Sequence, residues 1–236
     1  MDKLILVARH NDHGWEPLPE PYREIDRTKC VTPTIKQPTL TWSEYVVLWS
    51  AFPLSPEVEM VGFEHYRCML DFDPENLDLV RYIPYTERKA FAEKQLNFIE
   101  HHKSLLTVSY PLMFGESSLW EQLSQCYQPP NHHGIMDILS RACSIFDAAV
   151  GVNSAQELQT TNTLFSRNIF YGPAPFARDW ADISLYLAEL FDVWDEPYLP
   201  DRWGGFILER FFSIYVKLVE RQKTYKVQAK PLTFFQ

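Results

Sequence analysis

Basic residues are in short supply: 22 Lys and Arg stand against 31 Asp and Glu, for a formal charge of −9 and an isoelectric point near 5.3. A chain of that sign repels a phosphate backbone, so no nucleic acid is expected as a partner. Cysteine is scarce too. Cys30, Cys68, Cys126 and Cys143 form no C-x-x-C pair and no zinc-knuckle spacing, which points to reduced, buried thiols and a cytoplasmic setting. The pairs His10-x-x-His13, His101-His102 and His132-His133 contain no H-E-x-x-H, so a zinc site is not expected. Long apolar runs are lacking as well. Leu105 to Phe114 is short and Phe206 to Val219 is broken by Glu209 and Arg210, so neither is expected to span a bilayer. The opening Met-Asp-Lys leads straight into a brief apolar run, without the h-region and cleavage site of a signal peptide.

What is present suits a folded domain. The 236 residues are 46% hydrophobic and 22% charged, which excludes disorder and fibrous repeats and leaves ample material for a core. Aromatics reach 15%; a Phe-rich core accounts for most of them, although aromatic platforms also serve sugars and bases. Leu4-Ile-Leu-Val-Ala8 reads as a strand buried on both faces, as in a parallel sheet. His10 to Pro38 carries five prolines among charges and reads as a long ordered loop. Thr41-Trp-Ser-Glu44 fits a capping box before a helix that stops at Pro53. Further strands are expected over Glu57 to Arg67, Leu105 to Phe114 with an edge position or a bend at Pro111, Phe165 to Tyr171 and Thr224 to Phe235. Helices are expected over Thr86 to His102, from a second capping box at Ser118-Leu-Trp-Glu121 to about Tyr127, over Gly134 to Phe146, Pro175 to Trp194 and Phe206 to Gln222. Alternating strands and helices, with no repeat or linker, predict a single α/β domain over residues 1–236 with loop insertions.

Ligands of open α/β sheets collect at the carboxyl ends of the strands. Val61-Gly-Phe-Glu-His65-Tyr66-Arg67 ends a buried-type strand in three hydrogen-bonding residues, and Arg9-His10 does the same in miniature. Arg67 can fork onto a diphosphate with His65 and Tyr66 beside it; the alternative is a salt-bridged strand end. Asp71-Phe-Asp73 has the spacing for two carboxylates sharing a divalent cation, or for a plain turn before Pro74. Glu44 either caps its helix or takes part in catalysis. In Arg202-Trp-Gly-Gly-Phe-Ile-Leu-Glu209-Arg210, two charges inside an apolar helix either clamp each other or serve as a base and a phosphate ligand.

Taken in order, these pieces resemble a family: the bacterial capsule and O-antigen glycosyltransferases, whose assigned members are galactofuranosyltransferases. The similarity runs through His10, Trp42 with Glu44, Gly62 with His65-Tyr66-Arg67, Gln122, His133, Asp137, Asn168 with Phe170, and Gly205-Phe206 with Glu209-Arg210. Cys68 and Leu123 depart from the pattern, where the family has Arg and Tyr.

The resemblance implies a GT-A-like fold, a mostly parallel central sheet flanked by helices, with His-Tyr-Arg lying where metal-dependent relatives carry D-x-D. It implies transfer of a galactofuranose-like hexose from a UDP-sugar donor to a glycan or lipid-linked glycan acceptor in surface polysaccharide assembly, with inversion. Among the carboxylates, Glu209 ranks first as base, then Asp137 and Asp201. His10, His65, Tyr66, Arg67, Arg202 and Arg210 are implied on the donor, and Glu44, Gln122, His133 and Asn168 on the acceptor or in support. Arginine neutralising the diphosphate makes a metal unnecessary; Mg2+ or Mn2+ on Asp71 and Asp73 is the alternative. A lipid-linked acceptor implies peripheral attachment to the inner face of the cytoplasmic membrane, and partner glycosyltransferase domains fit the same role. The competing class is a non-catalytic nucleotide-sugar or glycan-binding module of a larger synthase.

Overall fold

The computed structural model of the chain describes residues 3–9, 16–30, 35, 42, 44–99, 103–126, 135–192 and 203–236. Its strands are β1 (Lys3–Arg9), β2 (Tyr22–Asp26), β3 (Met60–His65), β4 (Cys68–Leu70), β5 (Val80–Ile83), β6 (Leu105–Ser109), β7 (Leu112–Met113), β8 (Thr163–Leu164), β9 (Phe170–Pro173), β10 (Lys226–Lys230) and β11 (Leu232–Phe235). The helices are α1 (Tyr45–Ser50), α2 (Arg88–Gln95), α3 (Leu119–Cys126), α4 (Ile135–Val150), α5 (Ser154–Thr160), α6 (Ala174–Asp192) and α7 (Trp203–Arg221).

Among the described residues, nine strands join one sheet, in the order β2-β1-β3-β9-β6-β10, with β4, β11 and β5 continuing from the carboxyl end of β3. Seven of them, β1, β2, β3, β5, β6, β10 and β11, run one way; β4 and β9 run the other. The sheet is therefore mostly parallel and carries helices. Its two faces are separate cores. Leu6 and Ala8 of β1 point into the larger, with α1, α4, α6 and α7; Ile5 and Val7 point into the smaller, with β4, β11 and α2. A continuous apolar run is what a strand covered on both sides requires. Aromatic rings fill the larger core: Trp180 lies 5.3 Å from Phe212 and 5.6 Å from Tyr215, and Phe146 lies 4.7 Å from Phe211. The high aromatic content is mainly this core.

Several boundaries differ from the sequence reading, each for a physical reason. Inside the expected proline-rich loop, Tyr22–Asp26 pairs parallel to β1 as an edge strand. The expected strand at 165–171 is instead β8, a 3-10 turn at Ser166–Asn168 and β9, because Arg167 and Asn168 take left-handed φ values of 64° and 55°. The closing strand splits at Pro231, whose missing N–H cannot continue a ladder: β10 joins β6, and β11 leaves for β4 and β5. The expected helix over 86–102 is a short 3-10 turn followed by α2. The bend after β6 is present, and β7 pairs with β8 in a second small sheet. The Ser118–Glu121 capping box forms reciprocally, Ser118 N donating to Glu121 Oε2 at 2.9 Å and Glu121 N to Ser118 Oγ at 3.2 Å.

Candidate active site

The carboxyl ends of β1 and β3 lie side by side, Ala8 in register with His65. The chain then turns over β1, the Tyr66 N–H donating to the Ala8 carbonyl at 3.0 Å. Backbone alone thus places His65, Tyr66 and Arg67 at the end of the sheet. His65 is buried, and its Nδ1 lies 3.9 Å from Glu44 Oε1. Glu44 is in helical backbone at the start of α1. Its carboxylate faces His65 and the Arg27 guanidinium, 3.4 Å away; Thr41, the other half of the expected capping box, lies outside the described residues. Arg67 is exposed, stacked 5.2 Å from the Tyr66 ring centroid. Among the described residues it forms no ion pair, whereas His65 beside it lies within ion-pair distance of Glu44.

Glu209 and Arg210 enter from α7, a helix buried on nearly every side. They lie within ion-pair distance of each other, Arg210 Nη1 being 3.9 Å from Glu209 Oε2, and each has other partners as well. The backbone N–H of Arg167 donates to Glu209 Oε1. Arg210 Nη1 donates to the Phe206 carbonyl at 2.6 Å, and Nη2 donates to Gln122 Oε1 on α3. Burial pushes the Glu209 carboxyl above its ordinary range; the Arg210 and Arg167 charges and the Arg167 N–H pull it down, and the negative charge of Glu44 raises it further. The two carboxylates therefore belong to one electrostatic neighbourhood. A second tie fixes the 166–168 turn on α7, with Phe165 N donating to Ser213 Oγ at 2.9 Å. In that turn Asn168 is buried, and its Oδ1 has no hydrogen-bond partner among the described residues.

Gly62, part of the motif, has a packing role: a Cβ there would approach Ile5 at 2.9 Å and Tyr171 at 3.2 Å. Asp71 and Asp73 lie in the loop after β4. Asp71 is fully buried and accepts from Thr233 Oγ1 at 2.9 Å, Asn76 Nδ2 at 2.8 Å, Gln95 Nε2 at 3.2 Å and Asp73 N at 3.1 Å. Asp73 accepts from Lys94 Nζ at 2.6 Å. These bonds tie β4 to β11 and α2. Among the described residues, no three His, Cys, Asp or Glu side chains are grouped to hold a metal ion. Asp137 is exposed in the first turn of α4, and no hydrogen bond or ion pair among the described residues joins it to Glu209. His10, His133, Asp201 and Arg202 lie outside the described residues.

Two arginines escaped sequence reasoning. Arg27 stood in a charged loop with nothing to single it out, and Arg167 contributes through a backbone conformation with no side-chain signature. Among the described residues, no helix is long and apolar enough to cross a membrane.

No family model matches the chain, and no curated protein does. One solved structure, described as the WbbM bifunctional glycosyltransferase in its apo form, superposes with a TM-score of 0.72 at 14% identity, over 100% of this chain and 46% of that one. The chain therefore spans less than half the length of that protein. At this identity the likeness establishes the fold: a helix-flanked, mostly parallel α/β sheet that a glycosyltransferase also uses.

Proposed function

We propose that this chain is a glycosyltransferase domain, moving a galactofuranose-like hexose from a UDP-sugar to a hydroxyl of a glycan or lipid-linked glycan in bacterial surface polysaccharide assembly. The observation that carries the reading is Glu209: a largely buried carboxylate with a raised pKa, oriented by a backbone N–H, beside the sheet end where ligands of such folds bind. The sharing of this fold with a glycosyltransferase supports it.

On this reading Glu209 accepts the proton of the acceptor hydroxyl as that oxygen bonds to the anomeric carbon. The bond from that carbon to the diphosphate breaks on the opposite face, UDP departs with the electron pair, and the configuration inverts. A raised pKa suits the role, because a base is most effective when its pKa approaches the working pH. Arg67, exposed at the strand end with His65 and Tyr66, is assigned to the departing diphosphate. Arg210 and Gln122 hold the base in place, and Glu44 and Arg27 orient His65. Asp71 and Asp73 are engaged in the loop, so no step is routed through a cation on them. A lipid-linked acceptor would bring the domain to the membrane surface as a peripheral protein. The bifunctional, longer structural neighbour supports a second transferase domain as a partner.

The test pairs binding with turnover. UDP and UDP-hexoses should raise the melting temperature in EDTA, and Glu209→Gln should abolish UDP release while keeping that shift. Binding without turnover in the parent protein would favour a non-catalytic binding module.

A further inference from the structure

A line of paired residues crosses the sheet from the His65 end to its outer edge. Register sets His65 opposite Cys68, Cys68 opposite Phe234, and Phe234 beside Tyr82. At about 4.8 Å per strand, the four backbones span about 14 Å. At the outer end the Tyr82 and Phe234 rings stack, with centroids 5.5 Å apart and planes at 28°, and Tyr82 is 61% exposed. Over Phe234, 4.9 Å from its centroid, lies the guanidinium of Arg167, an exposed residue. The same arginine's charge reaches the Cys68 thiol, and its backbone N–H holds Glu209. One residue thus ties an aromatic stack, open at Tyr82, to the carboxylate assigned as base.

We propose that Tyr82, Phe234 and Arg167 form a saccharide subsite that holds the body of the acceptor glycan while its reacting hydroxyl lies at Glu209. The chemistry of the three groups carries this assignment. A flat, open aromatic surface takes the apolar C–H face of a sugar ring, and a planar guanidinium beside it offers several N–H donors to ring hydroxyls. Phe234 is half-buried beneath Arg167, and the ring open to solvent is that of Tyr82. A purely apolar partner would gain nothing from the cation over Phe234. The subsite rests on the transferase reading, since it presumes an acceptor to hold.

The test is saturation-transfer NMR on the intact chain with UDP present, using galactose-, mannose-, glucose- and N-acetylglucosamine-terminated disaccharides as probes. At least one should receive saturation on its C–H protons. Tyr82→Ala should weaken its binding by about tenfold and Tyr82→Phe should not, while the UDP-induced rise in melting temperature stays the same in both. Equal binding by Tyr82→Ala, or no transfer to any disaccharide from protein that still binds UDP, overturns the subsite and leaves the donor reading standing. Failure to bind both UDP and disaccharide removes the transferase reading itself. Leu77, Leu79 and Val80 are exposed on the same edge; a concentration-dependent dimer abolished by Tyr82→Ala would assign this face to a second copy and overturn the proposal.

Discussion

The backbone N–H of Arg167, a residue in left-handed conformation, donates to the carboxylate of Glu209, 42 positions away in sequence. A non-glycine residue rarely takes that conformation without compensation, and such positions gather at functional sites. Here the turn aims an amide at the carboxylate from one side, and Arg210, fixed by Gln122, faces it from the other.

Replacing Arg167 separates its backbone from its side chain. Arg167→Gly should be more stable than Arg167→Ala by about 1 kcal/mol, because glycine alone enters left-handed space without strain. Urea unfolding of the two variants checks the difference. Both remove a positive charge that holds the Glu209 carboxyl down, so the acid limb of the pH–rate profile should move to higher pH in each.

Glu64 on β3 is a buried acid outside the proposed chemistry. Burial pushes its carboxyl from the ordinary 4.5 up to about 8, despite the Leu70 N–H and the Arg88 charge. Between those values the folded protein keeps a proton that the unfolded chain has released. Stability should therefore fall as pH rises through that window, by at most about 1.4 kcal/mol per unit. Chemical denaturation of Glu64→Gln across the same range should show this part of the slope removed, with greater stability than the parent at pH 8.

A side chain at Gly204 has no room, since a Cβ there would overlap the Trp42 ring. Trp42 is itself packed 5.5 Å from Trp203 and 5.9 Å from Phe191. Gly204→Ala should cost about 1–3 kcal/mol by overpacking, read as a lower urea midpoint at unchanged slope. Gly204, the first of the glycine pair before Glu209, is in this respect a packing requirement of the α7 start.

Asp71 answers four donors inside the fold. Asp71→Ala should lower stability by about 3 kcal/mol, the cost of leaving buried donors unpaired, and thermal unfolding would show it. EDTA should leave both the UDP-induced stabilisation and UDP release of the parent protein unchanged. Activity restored only by Mn2+ or Mg2+ would return these carboxylates to the site.

Much of the frame was legible because it depends on local pattern. Leu4 to Ala8 announced a doubly buried strand, and Ser118 with Glu121 announced a helix start that forms as read. What could not be read depends on tertiary pairing. β2 and β5 are edge strands of four or five residues among charges and prolines, too short to stand out. The capping pattern before α1 gave Glu44 a local role; that its carboxylate also faces Arg27 and His65 from distant parts of the chain required the fold. Glu209, Gln122 and Asn168 were nameable from motif positions. That Arg210 reaches Gln122, and that a backbone amide holds Glu209, required the fold.

The central claim, that Glu209 is the base of a UDP-sugar transferase, is tested most directly by UDP release from UDP-galactofuranose and UDP-galactopyranose over a range of pH, in the parent and in Glu209→Gln. The account predicts an acid limb above the ordinary glutamate range in the parent. In the variant it predicts a loss of at least about 100-fold, the usual contribution of a general base, with UDP-induced thermal stabilisation intact. A Glu209→Gln protein that releases UDP at the parent rate would contradict it.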